Sequence, residues 1–168
     1  PSMFNFDAGE ETGMLLKAAK GYIPASELID RMIRYDEKFS SYNENYIDAL
    51  FLTNHDMGRV AEVCVNNEKN MKMAAGLMMM MNGSPFVYYG EEIGMLGSGI
   101  DQNKRLGMLW QTDSKEGIPY NPSGADYTAQ RDTSVADQEK DKTSLLNFYR
   151  LAASIRNKST LYVPQGMT

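Results

Sequence analysis

Apolar and polar residues alternate over residues 3–6, which predicts a short strand, and Asp7-Ala8-Gly9 then turns the chain. Over residues 10–20 the spacing becomes helical, with Met14, Leu15, Ala18 and Ala19 on one side and Gly21 placed as the stop. A second helix is predicted from Ala25, with Pro24 suited to its first turn. Its apolar stripe is Leu28, Ile29, Met32, Ile33 and Tyr35, and it fades near residues 39–42. Residues 47–53 are almost unbroken apolar, the signature of a strand buried on both faces in a parallel sheet. Residues 57–65 predict a short helix, and residues 68–81 a longer one, capped by Asn66 or Asn67 and stopped by Asn82-Gly83. Ser84-Pro85 opens a third strand over residues 86–89, closed by Gly90-Glu91-Glu92. Residues 94 to about 138 show no sustained period, and a stretch of that length inside a domain is usually a functional loop or a disordered one. A last helix is predicted over residues 142–157, with Leu145, Leu146, Phe148, Tyr149, Leu151, Ala152 and Ile155 toward the core. Leu161-Tyr162-Val163 is strand-like ahead of Pro164.

Strand, helices, strand, helices, strand, long loop and helix is the order of a parallel α/β sheet, open or closed into a barrel. Three strands leave two raw edges, so the fold is expected to be part of something larger. Pro1 to Phe6 reads as a strand already under way, without an initiator Met, which carries the same expectation of an excised piece.

Composition narrows the function. The 168 residues are 42% hydrophobic and 23% charged, ordinary for a folded domain. A net charge of −5 with no Lys/Arg stripe speaks against a nucleic-acid partner. A single Cys and a single His exclude a disulfide within the chain and a multi-histidine metal site. Cys64, in an apolar run, reads as a buried small hydrophobe. The greasiest stretch, residues 74–81, is too short to cross a bilayer, and its four methionines, Met78 to Met81, read as core filling.

The sharpest chemical signal is Phe51-Leu52-Thr53-Asn54-His55-Asp56-Met57-Gly58-Arg59. Barrel enzymes place catalytic groups at the C-terminal ends of their buried strands, where the Asn54-His55-Asp56 triplet falls. Asp56 can offset a developing positive charge, His55 can donate to a substrate hydroxyl, and Arg59 can hold a carboxylate. A solvated turn in which Asp56 caps the next helix uses the same residues, and spacing does not choose between the two.

Asn54-His55-Asp56 with Arg59 resembles the strand-seven motif of the α-amylase family of glycoside hydrolases. Gly83-Ser84-Pro85-Phe86-Val87-Tyr88-Tyr89-Gly90-Glu91-Glu92 resembles its strand-eight motif. The stretch from Asp101 to Trp110 is similar to the segment that follows, with Gly107 where the family usually has proline. Ser144-Leu145-Leu146-Asn147-Phe148-Tyr149-Arg150, with Ile155-Arg156 after it, resembles the last barrel helix. The resemblance spans nearly the whole chain. It implies a partial (β/α)₈ TIM barrel, about strands six to eight with their helices, over residues 1–160, with residues 161–168 starting a linker to a following domain. It also implies a retaining glycosidase acting on α-glucosidic bonds of starch-like glucans or malto-oligosaccharides. Asp56 matches the carboxylate that bonds the 2- and 3-hydroxyls of the sugar being cleaved and stabilises its oxocarbenium-like transition state, and His55 matches a partner on the same hydroxyls.

The nucleophile and general acid normally follow strands four and five, and neither motif occurs here. Asp7 and Glu10 follow the first strand but lack the nucleophile's sequence context, and Glu91 and Glu92 read as structural, tied to the backbone beneath the loop. The chain alone is therefore expected to be inactive. Asn54, Arg59, Arg105, Trp110 and Tyr120 join His55 as candidate substrate-binding residues, with Asp101 at the edge and Tyr127 a further stacking group. No cofactor or metal site is expected in this segment, since Asp101-Gln102-Asn103 lacks the acidic residue a calcium loop needs at its twelfth position. Any calcium of the family type would draw on upstream residues. The alternatives are a non-catalytic α-glucan-binding protein on a decayed barrel, and an unrelated α/β domain. Expressed alone, the segment is expected to dimerise, swap strands or aggregate.

Overall fold

The computed structural model describes residues 2–112, 120–126 and 133–160. Three parallel strands, β1 (Ser2–Phe4), β2 (Ile47–Phe51) and β3 (Ser84–Phe86), form one sheet in the order β1-β2-β3. The register pairs Phe4 with Ala49, Ala49 with Ser84 and Phe51 with Phe86. Each crossover is helical: α1 (Met14–Ala19) and α2 (Ala25–Ser40) join β1 to β2, and α3 (Val60–Val63) and α4 (Glu68–Met80) join β2 to β3. After β3 come a 3-10 turn at Glu91–Ile93, two short helices, α5 (Asp101–Lys104) and α6 (Val135–Lys140), and α7 (Leu145–Lys158).

All three strands are shorter than the apolar pattern suggests. Residues 52–53 after β2 and 87–89 after β3 lie outside the ladder. The first helix begins four residues later than residue 10. Asn5 accepts the Ala8 N–H at 2.9 Å, Met14 donates to the Asp7 carbonyl at 3.0 Å, and Glu10 takes a left-handed conformation, so residues 5–13 are a turn.

One face of the sheet packs on helices. Leu50 and Leu52 join Leu15 and Leu16 of α1, Met71, Ala74, Ala75 and Met78 of α4, and Leu145 and Tyr149 of α7 in one core. Each fully buried Leu or Met there contributes about 1.5–3 kcal/mol. Of the four methionines, Met78 and Met79 are buried and Met81 packs against the core, whereas Met80 is 39% exposed on the outer side of α4. Cys64 is buried. On α2 only Leu28 of the predicted stripe is buried, and Ile29 and Ile33 face outward.

On α7 the core-facing line differs from the predicted one. Leu151 and Ile155 are exposed, and Arg156 takes the inner position. Its guanidinium donates to the carbonyls of Met79 and Met81 at 2.7 Å each, and to that of Gly83. The Met79 and Met81 carbonyls lie at the C-terminal end of α4, where helix carbonyls lack partners within the helix, and Gly83 follows in the turn to β3.

The other face of the sheet carries Phe4, Phe6, Phe51 and Phe86. Their rings meet edge to face, with centroids 5.6 Å apart for Phe4–Phe51, 5.0 Å for Phe4–Phe86 and 5.2 Å for Phe6–Phe51. Phe4, Phe6 and Phe86 remain about half exposed.

The described residues of the long loop region include local structure that its composition does not suggest. Ser134 and Asp137 form a reciprocal capping box that starts α6. Gln138 of α6 anchors the region to the core, donating to the Ile93 carbonyl at 2.8 Å and accepting from the Leu146 N–H at 3.0 Å.

Candidate active site

The C-terminal end of β2 runs directly into Asn54, His55 and Asp56. Asn54 Oδ1 accepts the Asp56 N–H at 2.8 Å, which folds the triplet into a tight turn. The turn aims Asp56 outward, and its side chain is 66% exposed. His55 Nε2 lies 3.3 Å from Asp56 Oδ1, and Arg105 Nη2 donates to the same oxygen at 3.3 Å. Asp56 does not cap the following helix: the N-cap position of α3 is Arg59, with no side-chain cap. The capping alternative therefore falls, and the carboxylate is left available at the strand end.

Arg105 reaches Asp56 from the loop after β3. Its other nitrogen, Nη1, donates to the Asp101 carbonyl at 3.0 Å. Asp101's carboxyl is held below the ordinary carboxylate range, first by its hydrogen bond from Lys104 and then by the charges of Lys104 and Arg105. Two cations on Asp101 disfavour a divalent ion there, and among the described residues no group of three or more His, Cys, Asp or Glu could hold a metal. Beside Arg105, an open cleft of about 470 Å³ is lined by Tyr89, Glu92, Leu106, Gly107, Met108, Trp110 and Tyr120. Trp110 is half exposed and Tyr120 fully exposed, so both rings are presented at the cleft. Gly107 donates its N–H to Asn121 Oδ1 at 2.9 Å, a bond that a proline at this position could not make. Tyr127 lies outside the described residues.

Arg59 is placed differently from the expectation of a substrate contact. It is 1% exposed, with its guanidinium 4.7 Å from the ring centroids of both Tyr88 and Tyr89. Nη1 donates to the Tyr89 carbonyl at 2.6 Å. Burial draws its pKa below the ordinary value, opposed by the two tyrosines. Gly90, in a left-handed conformation, leaves room for this, since a Cβ there would lie 3.1 Å from Arg59 Nη1. Arg59 is thus a buried pin between the turn after β2 and the turn after β3.

Behind that pin lies a buried acid. Glu91 is 3% exposed and accepts a 2.6 Å hydrogen bond from the Tyr149 hydroxyl of α7. It is therefore tied to a side chain of the last helix rather than to the backbone beneath the loop. Burial pushes its pKa up to about 8, only partly offset by the Tyr149 bond. Glu92 is also raised by burial, countered by backbone N–H bonds from Glu92 itself and Gly90. Asp7 and Glu10 sit in the turn after β1, and Glu11 Oε1 accepts the Gly58 N–H, tying that turn to the Asp56 loop.

Comparison of the whole chain with known proteins points to one family. The family model described as "Alpha amylase, catalytic domain" covers residues 3–165. The chain belongs to the α-amylase family. It is 40% identical to a solved structure titled "Eubacterium rectale Amy13B", with a TM-score of 0.85, covering 93% of this chain and 31% of that one. To the α-amylase from H.orenii it is 32% identical with a TM-score of 0.75, covering 97% of this chain and 33% of that one. The α-amylase SusG of Bacteroides thetaiotaomicron is 29% identical over 174 residues, all of this chain and 24% of that protein. The chain thus spans about a quarter to a third of the length of these relatives. Its parallel sheet is part of an α-amylase barrel.

Within the family frame, the structure brings Asn54, His55, Asp56 and Arg105 together, sets Trp110 and Tyr120 at the adjacent cleft, and withdraws Arg59 into the interior. Sequence reasoning missed Lys104. Its ammonium donates to the Asp56 carbonyl at 2.8 Å, across 48 residues of sequence. A lysine at the end of a four-residue helix gives no local signal of such a contact.

Proposed function

We propose that this chain supplies one carboxylate and part of the sugar-binding cleft of a retaining glycoside hydrolase acting on α-glucosidic bonds of starch-like glucans. The observation that carries the reading is Asp56. It is an outward carboxylate at the C-terminal end of a parallel strand, flanked at 3.3 Å by His55 and Arg105 and next to a cleft presenting Trp110 and Tyr120. Retaining chemistry needs a nucleophilic carboxylate and a carboxylic acid about 5 Å apart, and this reading assigns both to residues outside the chain. Asp56 holds two sugar hydroxyls through bonds that tighten as the ring flattens toward the oxocarbenium-like transition state, and its charge opposes the positive charge forming there. His55 donates to the same hydroxyls. Arg105 orients Asp56, and the aromatic rings carry the flat faces of neighbouring sugars. Asn54 acts through the turn that aims Asp56, and Arg59 acts by pinning that turn. Any calcium belongs to residues outside this chain.

The test is to assay the whole protein on soluble starch, pullulan and a β-linked glucan, following the anomeric form of the first product by NMR. The reading expects activity on an α-linked substrate only, with the α-anomer released first. No activity on any α-glucan, together with retained binding to them, would favour a non-catalytic α-glucan-binding protein on the same barrel.

A further inference from the structure

We infer that Lys104 is a positioning residue for Asp56, clamping the peptide group that carries the carboxylate to the cleft-forming loop. The inference rests on the glycosidase reading above.

The Asp56 side chain is largely solvated, and its contacts to His55 and Arg105 are both 3.3 Å long. Contacts of that length do not fix a carboxylate by themselves. Its main chain is held on both sides instead. The Asp56 N–H is bonded by Asn54 Oδ1 at 2.8 Å, and its carbonyl receives the Lys104 ammonium at 2.8 Å. The Lys104 side chain is only 12% exposed, so its stem is packed against the protein, while the bond itself lies at an exposed site.

Lys104 is itself fixed from both ends. Its ammonium lies 3.2 Å from Asp101 Oδ1, and its carbonyl accepts the Tyr88 hydroxyl at 3.0 Å. Tyr88 also stacks on Arg59, whose N–H donates to the Gly97 carbonyl at 2.9 Å. The path from Asp56 through Lys104, Tyr88 and Arg59 returns to the Asp56 turn as a closed loop of contacts. It leaves the carboxylate free for substrate while fixing where it points. A displacement of about 1 Å in such a group can cost a hundredfold in rate.

The experiment is steady-state kinetics of the whole protein on a defined malto-oligosaccharide, with thermal midpoints measured in parallel. Lys104→Met should lower kcat about tenfold or more, change KM less than about threefold, and leave the midpoint close to wild type. Lys104→Arg, which keeps a donor within reach of the carbonyl, should recover most of kcat. If Lys104→Met does not accumulate folded, Lys104→Leu, which likewise has no donor, carries the same expectation. Unchanged kcat in the neutral variants, a loss confined to KM, or no recovery in Lys104→Arg would overturn the inference. An inactive wild type would instead overturn the glycosidase reading beneath it.

Discussion

Glu91 is a carboxylic acid held in an environment far from water. At 3% exposure, with the Tyr149 hydroxyl as its partner, it holds its proton up to about pH 8 in the folded chain, against an ordinary value of 4.5. Below that ordinary value both folded and unfolded forms are protonated, and the full contribution to stability is present. As pH rises from there toward 8, the unfolded form releases the proton and the folded form keeps it. Stability then falls by up to about 1.4 kcal/mol per pH unit. Asp48, buried and raised to about 6, acts in the same direction over a narrower window. The thermal midpoint of the whole protein should therefore drop between pH 5 and pH 8. Glu91→Gln, which still accepts from Tyr149, should flatten that drop, and an unaltered slope in this variant would show that Glu91 is not the group responsible. Some of this environment was legible in the sequence and some was not. Glu91 could be read as structural because it follows a strand end without a catalytic context. Its partner Tyr149, 58 positions away, could not be named. Arg59 was read as a substrate-binding residue, and the structure instead buries it against two tyrosine rings and one carbonyl.

Among the elements, the parallel strands and the long helices were legible because their periodicity is strong. Their ends were not, because turn residues such as Asn5, Glu10 and Asn54 take over the backbone hydrogen bonds there. The two short helices α5 and α6 were missed for a different reason. A capping box from Ser134 to Asp137 is only four residues of signal inside a polar stretch. On α7 the apolar Leu151 and Ile155 suggested a wider buried face than the helix has, and Arg156 lies inside because three carbonyls await it. The sheet has its own consequence. Both β1 and β3 lack a second neighbour among the described residues, and Phe4, Phe6 and Phe86 are about half exposed on one face. Residues 1–168 expressed by themselves should associate through these edges and this face. Light scattering should report a mass above the 18.9 kDa of one chain. A monomer that melts cooperatively at low micromolar concentration would count against this account of the sheet.

For the whole molecule, the turns after all three strands converge on one end of the sheet. Glu11 binds Gly58 from the first turn, and Arg59 and Lys104 bind the second turn to the third. Asp56 stands at the centre of that convergence, with the cleft of Trp110 and Tyr120 beside it. The triplet and its family were readable from the sequence because the motif is contiguous, whereas the braces that aim it come from distant loops. The most direct test of the account is Asp56→Asn in the whole protein, measured as kcat/KM for a malto-oligosaccharide beside wild type. Asparagine keeps the shape and the contact to sugar hydroxyls but removes the charge. The account predicts a fall of at least about 10²- to 10³-fold, with the affinity for bound oligosaccharide changed far less. An Asp56→Asn enzyme within a few fold of wild type would contradict it.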